Sequence, residues 1–419
     1  MNIWMVHHYA NTPDTFGDAR HFSHARELIR RGHTVAIVAC SFHHLNHEQL
    51  KGVSSEHWEA KVHDGVNFIW IPAQSYRNGA FRRVLNMFEF SLRAIRRDWA
   101  VGLERPDLIL GSTPHPFAAL AGERLAAHCK VPFVLEVRDA WPYILTEVGG
   151  YSRFHPFVQL VDRTMRFLYR RASAIVMLSK HSAPLLASYG ADPRKILWIP
   201  HGVDLEMSPQ PRPAPDDGIF TVSYIGAHNR WNSLDAVLDA ARMLQESGTH
   251  NVLIRFVGNG ECKPSLVARA RNEGIRNVRF EDSVPRNLLH EVLHESDAFV
   301  INNSEDGASR NWMSFSKLYA YLAAGRPVVF GSCTENDPVR DSGCGLSVAA
   351  NDPQALAEGI RFMAGRTPLE LARYGELGRA HIESEYSISV LVDRFEKMAF
   401  EIAGQSQSVD AKKGMPVPA

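Results

Sequence analysis

The feature that most constrains this chain is an alternation sustained almost from end to end: a short apolar run, then an amphipathic helical pattern, then another apolar run. Asn2–His7, Thr34–Ala39, Val66–Ile71, Leu108–Gly111, Pro132–Val137, Ala174–Leu178 and Ile196–Ile199 read as strands, and Ala19–Arg31, stopped by Gly32, as the first helix. Strands separated by helices rather than tight turns form parallel sheets covered on both faces. The proline-rich stretch "MSPQPRPAPDDG", Met207 to Gly218, continues neither pattern. Beyond it the alternation restarts, with strands at Phe220–Ile225, Val252–Val257, Val278–Phe280, Ala298–Ile301 and Val328–Phe330. Helices are expected near Leu234–Gln245, Pro264–Asn272, Asn287–His294 and Lys317–Ala324.

The expected architecture is therefore α/β: two doubly wound, Rossmann-like domains facing a cleft, over residues 1–204 and 219–385, joined by a linker at 205–218. A helix over 386–403 is expected to cross back to the N-terminal domain, and the small, polar tail 404–419 to be disordered.

Length and composition narrow the function classes. A chain of 419 residues can bury two sizeable cores. Its 46 basic residues are matched by 46 acidic ones, so no overall field points to a nucleic-acid partner. Cys40, Cys129, Cys262, Cys333 and Cys344 are scattered singly, which suits reduced thiols in a cytoplasmic protein. The opening "MNIWMVHHYA" lacks the charged start and long apolar core of a signal peptide. No uncharged run reaches the ~20 apolar residues of a membrane span. His43, His44 and His47 lie near Glu48, but no matching ligands complete a zinc site, so they read as solvated loop side chains.

Ligands of doubly wound sheets sit beyond the carboxyl ends of the strands, so the loops there are the informative ones. Gly17, after the first strand, allows a close backbone approach to a ligand; its other reading is a turn glycine before a helix capped by Asp18. Arg138 and Asp139, in "RDAWP", place a charged pair at a strand exit, as site residues or as an ion pair capping the strand. "PHGVD", Pro200 to Asp204, reads as a tight turn. In "GAHNRWNS", Gly226, a helix start and Arg230 together suit a diphosphate. Gly258 and Gly260 supply two-thirds of a dinucleotide fingerprint, with Lys263 in place of the third glycine and Glu281 at the ribose-acid position.

In "SFSKLYAYLAAGRPVVFG", Ser314 or Ser316 caps a short helix and Lys317 adds a cation at its amino end. A cation there costs an isolated helix ~0.3–1 kcal/mol. The cost makes sense if an anion normally sits at that end; a solvated surface lysine is the plainer reading.

Taken in order, these loops resemble the retaining glycosyltransferases of family 4, whose fold is the two-domain GT-B. The matching stretches are "RELIRRGHTVAIVA", "PFVLEVRDAWP", "IPHGVDLE", "YIGAHNRWNSLDAVLDAA", "VGNGE", "SKLYAYLAAGRPVV" and "GCGLSVAANDPQALAEGI", covering the chain to about residue 400. "EVRDAWP" and "SKLYAYLAAGRPVV" lean toward the branch that includes aminosugar transferases of bacterial O-antigen and capsule assembly.

The resemblance implies a nucleotide-diphosphate sugar, a UDP-sugar above others, held by Gly17, Gly226, Arg230, Gly258, Ser316 and Lys317. A glycan or lipid-linked acceptor would bind the N-terminal half, with Arg138, Asp139 and Lys317 as catalytic residues. Front-face departure of the diphosphate with retention needs no protein nucleophile, and the family needs no metal or cofactor. Two departures stand out. The family's paired glutamates are Trp312 and Ala320 here, and its arginine and lysine of the first C-terminal loop are Ala227 and Asn232. They keep two alternatives in view: a sugar-nucleotide 2-epimerase of the same fold, and a non-catalytic homologue acting as a partner protein.

One helical pattern stands apart. "RNGAFRRVLNMFEFSLRAIRR" aligns Phe81, Val84, Leu85, Phe88, Leu92 and Ile95 in a stripe ringed by Arg77, Arg82, Arg83, Arg93, Arg96 and Arg97. "HPFVQLVDRTMRFLYRRAS" repeats the mix with Arg163, Arg166, Arg170 and Arg171. Core packing is the expectation for the stripe. The arginine excess raises the alternative of docking on an anionic membrane surface, at ~1 kcal/mol per charge.

Overall fold

A computed structural model of the chain describes residues 1–413 apart from 14, 16–18, 45–46, 51, 78, 207, 209, 213–216, 285–287 and 305–315; the side chains of 148 and 405–413 also lie outside the description. Two units result: Met1–Pro200 together with Leu391–Ala419, and His201–Val390.

The first unit is built on β1 (Asn2–Val6), β2 (Thr34–Cys40), β5 (Glu59–His63), β6 (Val66–Ile71), β7 (Leu108–Ser112), β8 (Phe133–Val137), β9 (Ala174–Met177) and β10 (Ile196–Trp198). A small ribbon, β3 (Phe42–His43) with β4 (Glu48–Gln49), stands beside it. The sheet order is β10-β9-β8-β7-β1-β2-β6-β5, parallel at every step except β5 against β6. The central strands β1, β7, β8 and β9 are buried along their whole length, which is why they read as largely apolar runs. β5 escaped the sequence reading because "EAKVH" alternates half-buried and exposed residues at the sheet edge.

Chain order reverses between β1 and β7, so the loops after these strands and after β8 meet at the switch point where ligands of such sheets bind. α1 (Arg20–Arg30) covers the sheet with Phe22, Ala25 and Leu28 and stops at Gly32, whose φ of +87° suits glycine. α3 (Pro116–Cys129) presses on β7 at a glycine pair: a Cβ on Gly122 would lie 2.9 Å from the Gly111 Cα.

α2 (Ala80–Arg96) overturns the core-packing expectation. It buries Asn86, Met87, Phe90, Ser91 and Ala94, while Phe81 is 73% exposed and Leu92 61%. The small Ser91 and Ala94 give that face the closer approach to the core, and the apolar stripe is left largely outside. Val84, Phe88 and Ile95 of the stripe are half-buried, the Phe88 ring centroid 4.2 Å from that of Phe117. α4 (Pro156–Arg171) and α5 (Ala183–Ser188) complete the layers.

The second unit is a parallel sheet ordered β13 (Val278–Glu281), β12 (Val252–Val257), β11 (Phe220–Ile225), β14 (Ala298–Asn302), β15 (Val328–Gly331), β16 (Gly345–Val348). Around it run α6 (Leu234–Glu246), α7 (Lys263–Asn272), α8 (Leu289–His294), α9 (Ser316–Ala323), α10 (Pro338–Ser342), α11 (Pro353–Ala364) and α12 (Pro368–His381). Val222, Tyr224, Val237, Leu238, Ile254, Phe256, Val300 and Val329 form its core. The linker is pinned to this unit. Pro211 packs on Gly325, and the Arg212 carbonyl accepts from Arg326 Nη2 at 2.6 Å.

α13 (Ile388–Lys413) starts in the second unit and from Leu391 belongs to the first. There Arg31 Nη1 meets Asp393 Oδ1 at 2.6 Å and His33 Nε2 meets Glu396 Oε1 at 2.7 Å. The helix extends to Lys413, within the stretch 404–419 expected as a tail.

Candidate active site

The carboxyl ends of β11 and β12 bring three of the expected residues together. Gly226 donates its N–H to Val257 O (2.9 Å) and Gly258 donates its own to Glu281 O (3.1 Å), so the ladder carries on past the strands. Gly258 has φ +146°, and a Cβ there would sit 2.0 Å from Gly226 O. Only glycine fits such an approach.

Lys317, on the first turn of α9, crosses the other side of Gly226. Its Nζ donates to Tyr224 Oη (3.0 Å) and to Asn232 Oδ1, and stands 4.9 Å from the Tyr224 ring centre. Both partners are neutral oxygens, and among the described residues no carboxylate pairs with the ammonium. Burial pushes its pKa down to about 8. An ammonium with no counter-ion among the described residues suits an incoming anion.

His228 sits beside the same glycines. It has no exposed surface, and among the described residues neither ring nitrogen finds a hydrogen-bond partner. Burial first, then the charges of Lys263 and Lys317, lower its pKa to about 4. Leaving one such buried donor or acceptor unmade costs ~1–3 kcal/mol. The sequence reading passed over this histidine; its one signal was a polar ring directly after Gly226–Ala227.

The remaining donor-side candidates fall less centrally. Ser316 is exposed at the start of α9. Arg230, on a single turn, points outward with its side chain 83% exposed and reaches Glu261 Oε1 at 3.6 Å rather than the lysine cluster. Ala320 is half-buried, one helical turn beyond Lys317. Gly17, Asp18, Trp312 and Ser314 lie outside the described residues.

In the first unit, the switch-point loops build a second polar cluster. Arg138 Nη1 donates to His7 Nε2 at 3.0 Å, so this guanidinium is steered to the β1 loop. The half-buried Asp139 has its carboxyl pushed up to about 6 by burial, against the pull of Arg138 and Arg83. His115 Nδ1 accepts the Ala118 N–H that starts α3, which leaves the proton on Nε2 to donate to His8 Nδ1 at 2.6 Å. His44 stacks on Tyr9 at 4.1 Å and His43 is buried, which corrects the expectation of solvated loop histidines. Among the described residues no group of three or more ligating side chains is placed to hold a metal.

Beneath this cluster lies a network that the sequence reading did not foresee. Glu136 accepts from Arg20 Nε (3.0 Å), His21 Nε2 (2.7 Å) and Ser112 Oγ (2.6 Å), all buried. Burial alone would raise its pKa, but His21 and Arg20 hold the carboxylate well below its usual range. Arg20 also donates to the carbonyls of Ile199 (3.0 Å) and Pro200. The signal available was a glutamate inside an apolar strand, which survives there only when paired.

Comparisons with known proteins agree on the class. Residues 22–207 match the model described as Glycosyltransferase Family 4, and residues 219–365 the one described as Glycosyl transferases group 1. The "Probable glycosyltransferase WbjE" of Pseudomonas aeruginosa is 22% identical over 327 residues, 75% of this chain and 78% of the relative. WaaG, a glycosyltransferase involved in lipopolysaccharide biosynthesis, superposes with a TM-score of 0.65 at 18% identity, covering 96% of this chain and 100% of that one. Anabaena Alr3699/HepE in complex with UDP-glucose gives 0.63 at 14% identity, covering 96% and 100%.

Proposed function

The chain belongs to the glycosyltransferases of GT-B fold, family 4 in its N-terminal half and group 1 in its C-terminal half, and from that premise we propose the following reaction. It moves a hexosyl or N-acetylhexosaminyl group from a UDP-sugar to a glycan or lipid-linked sugar, with retention of anomeric configuration, in bacterial surface polysaccharide synthesis. The observation that carries the reading is Lys317: a half-buried ammonium fixed by two neutral oxygens beside Gly226.

In this reading Lys317 meets the negative charge that grows on the leaving diphosphate. Stabilising charge where it develops is the largest lever such a reaction has. Its partners are fixed before the donor arrives, so little reorganisation is spent at the moment of transfer. With that charge supplied by side chains, the reaction needs no metal. Ser316 and the rim cation Arg230 border the same site. Arg138 and Asp139 are assigned to the acceptor side, where a carboxyl poised near 6 suits a hydroxyl that must shed its proton.

The complexed Alr3699/HepE carries UDP-glucose, which supports the choice of donor, and the part of WaaG in lipopolysaccharide biosynthesis supports the choice of pathway. We assign a cytoplasmic place with the first unit resting on the inner membrane surface. The exposed Phe81 and Leu92 among arginines support it, and among the described residues no helix is long and apolar enough to cross a membrane. The test is incubation with a panel of UDP-, GDP- and ADP-sugars and lipid-linked acceptors, with product stereochemistry read by NMR. A UDP-sugar consumed with net retention is the expected result; a 2-epimerised donor, or binding without turnover, sinks it.

A further inference from the structure

His228 is not accounted for by packing. Its ring stands between Tyr224 (5.9 Å) and Phe256 (6.3 Å), where an apolar ring would serve as well. Its backbone is held on both sides, the N–H donating to Asn259 O and the carbonyl accepting from Cys262 N, each at 2.9 Å. The main chain at His228 is thus anchored, while its imidazole carries two unmade hydrogen bonds. Nε2 would lie 3.4 Å from a Cβ on Gly258, at the same glycine pair that Lys317 flanks.

Neighbouring cations do not fill the role. Ala227 stands where the family resemblance expects arginine. Lys263 is committed elsewhere, its Nζ donating to Asn259 Oδ1 (2.9 Å), Glu281 O (2.7 Å) and Asp282 Oδ1 (2.8 Å). Arg230 leans outward to Glu261.

We infer that His228 is a ligand of the donor's diphosphate, its imidazole N–H donating to a phosphate oxygen at the Gly226–Gly258 step opposite Lys317. The inference rests on the donor-site reading above. A neutral ring, as the lowered pKa implies, carries one N–H to give. A bond from it to a phosphate oxygen is of the stronger, charge-assisted kind. Both ring nitrogens are buried as the ring stands, so the side chain turns toward the Gly226–Gly258 step to meet the oxygen, and it then makes the hydrogen bond the unliganded fold leaves open.

The test is titration calorimetry of the full chain with UDP, GDP and ADP, on wild type, His228→Phe and His228→Gln. Phenylalanine keeps the packing and removes both unmade bonds, so its Tm should equal or exceed wild type while the UDP Kd rises about 10-fold or more. Glutamine, which restores a donor nitrogen, should recover much of the loss. Wild type that binds none of the three nucleotides overturns the donor-site reading and this inference together. Wild type that binds UDP while His228→Phe binds it equally well overturns the inference alone. Should the phenylalanine variant not fold, 15N-histidine NMR on wild type decides: an imidazole resonance that shifts on saturation with UDP supports the contact, and none shifting overturns it.

Discussion

The stem of Lys317 lies against the bare α-carbon of Gly226, where an added Cβ would fall 2.6 Å from Lys317 Cδ. This contact links the first loop of the second unit to the helix after its fourth strand in sequence, and it holds the ammonium over Tyr224 and Asn232. Glycine at 226 is required by what crosses it rather than by its own backbone angles.

Gly226→Ala should therefore act through the lysine. The flexible stem can give way, so folding should change by less than about 1 kcal/mol, while UDP affinity falls about 10-fold as the ammonium leaves its two oxygens. Denaturant unfolding and calorimetry separate the effects. An unchanged Kd would show that the lysine position is not what holds the donor.

Lys317→Met should cut kcat/KM by about 100-fold or more and leave Tm level or higher, since a partly desolvated amine is exchanged for an apolar stem. The pH behaviour follows. The folded pKa of about 8 lies below the unfolded value of 10.5, so the unfolded chain binds more protons between them and wild-type stability rises with pH across that window. The methionine variant should lose this rise. A bound diphosphate favours the charged amine, so wild-type kcat/KM should fall as pH climbs through about 8.

Glu136→Gln should cost about 3 kcal/mol, because Arg20 and His21 lose the charge that offsets their burial. The folded pKa of Glu136 is depressed, so the carboxylate's contribution is complete above its ordinary value of 4.5 and is lost as pH falls below it. Wild type should shed that stability on acidification, and the glutamine variant should lack that component. Parallel acid profiles for the two would refute the assignment.

Ala320→Glu restores the carboxylate of the family pattern on the helix face it shares with Lys317. An i,i+3 pair is worth ~0.2–0.5 kcal/mol, and residue 320 is half-buried. UDP-sugar affinity should rise modestly with little change in Tm. A loss greater than about 10-fold would show a pocket shaped around the small side chain.

Phe81→Asp combined with Leu92→Asp should leave Tm almost unchanged, as both side chains are mostly exposed. Flotation with vesicles rich in anionic lipid at low salt should drop sharply against wild type. No wild-type flotation under those conditions would remove the membrane from the account.

Val66–Ile71, Phe220–Ile225 and Val252–Val257 were read to the residue, because strands buried on both faces must be mostly apolar, with the few polar side chains such as Asn67, Ser223 and Arg255 as exceptions. The edge strand Glu59–His63, half wet, carried no such mark. The family resemblance grouped Lys317, Gly226 and Gly258 in one donor site; what it did not give was the Lys317 stem lying on Gly226 and Gly258 closing on the Gly226 carbonyl, since three short loops far apart in the chain meet only when the parallel sheet forms.

The order of apolar runs and helix patterns by itself determined two parallel α/β sheets and put the polar loops at their carboxyl ends, because periodicity and burial are local properties of sequence. Which face of Ala80–Arg96 turned inward, which carboxylate took Arg20, where Arg138 reached and that His228 was left without partners were decided only in three dimensions. Those outcomes depend on which side chains distant in the chain arrive within hydrogen-bond reach, and no spacing along the sequence encodes that distance.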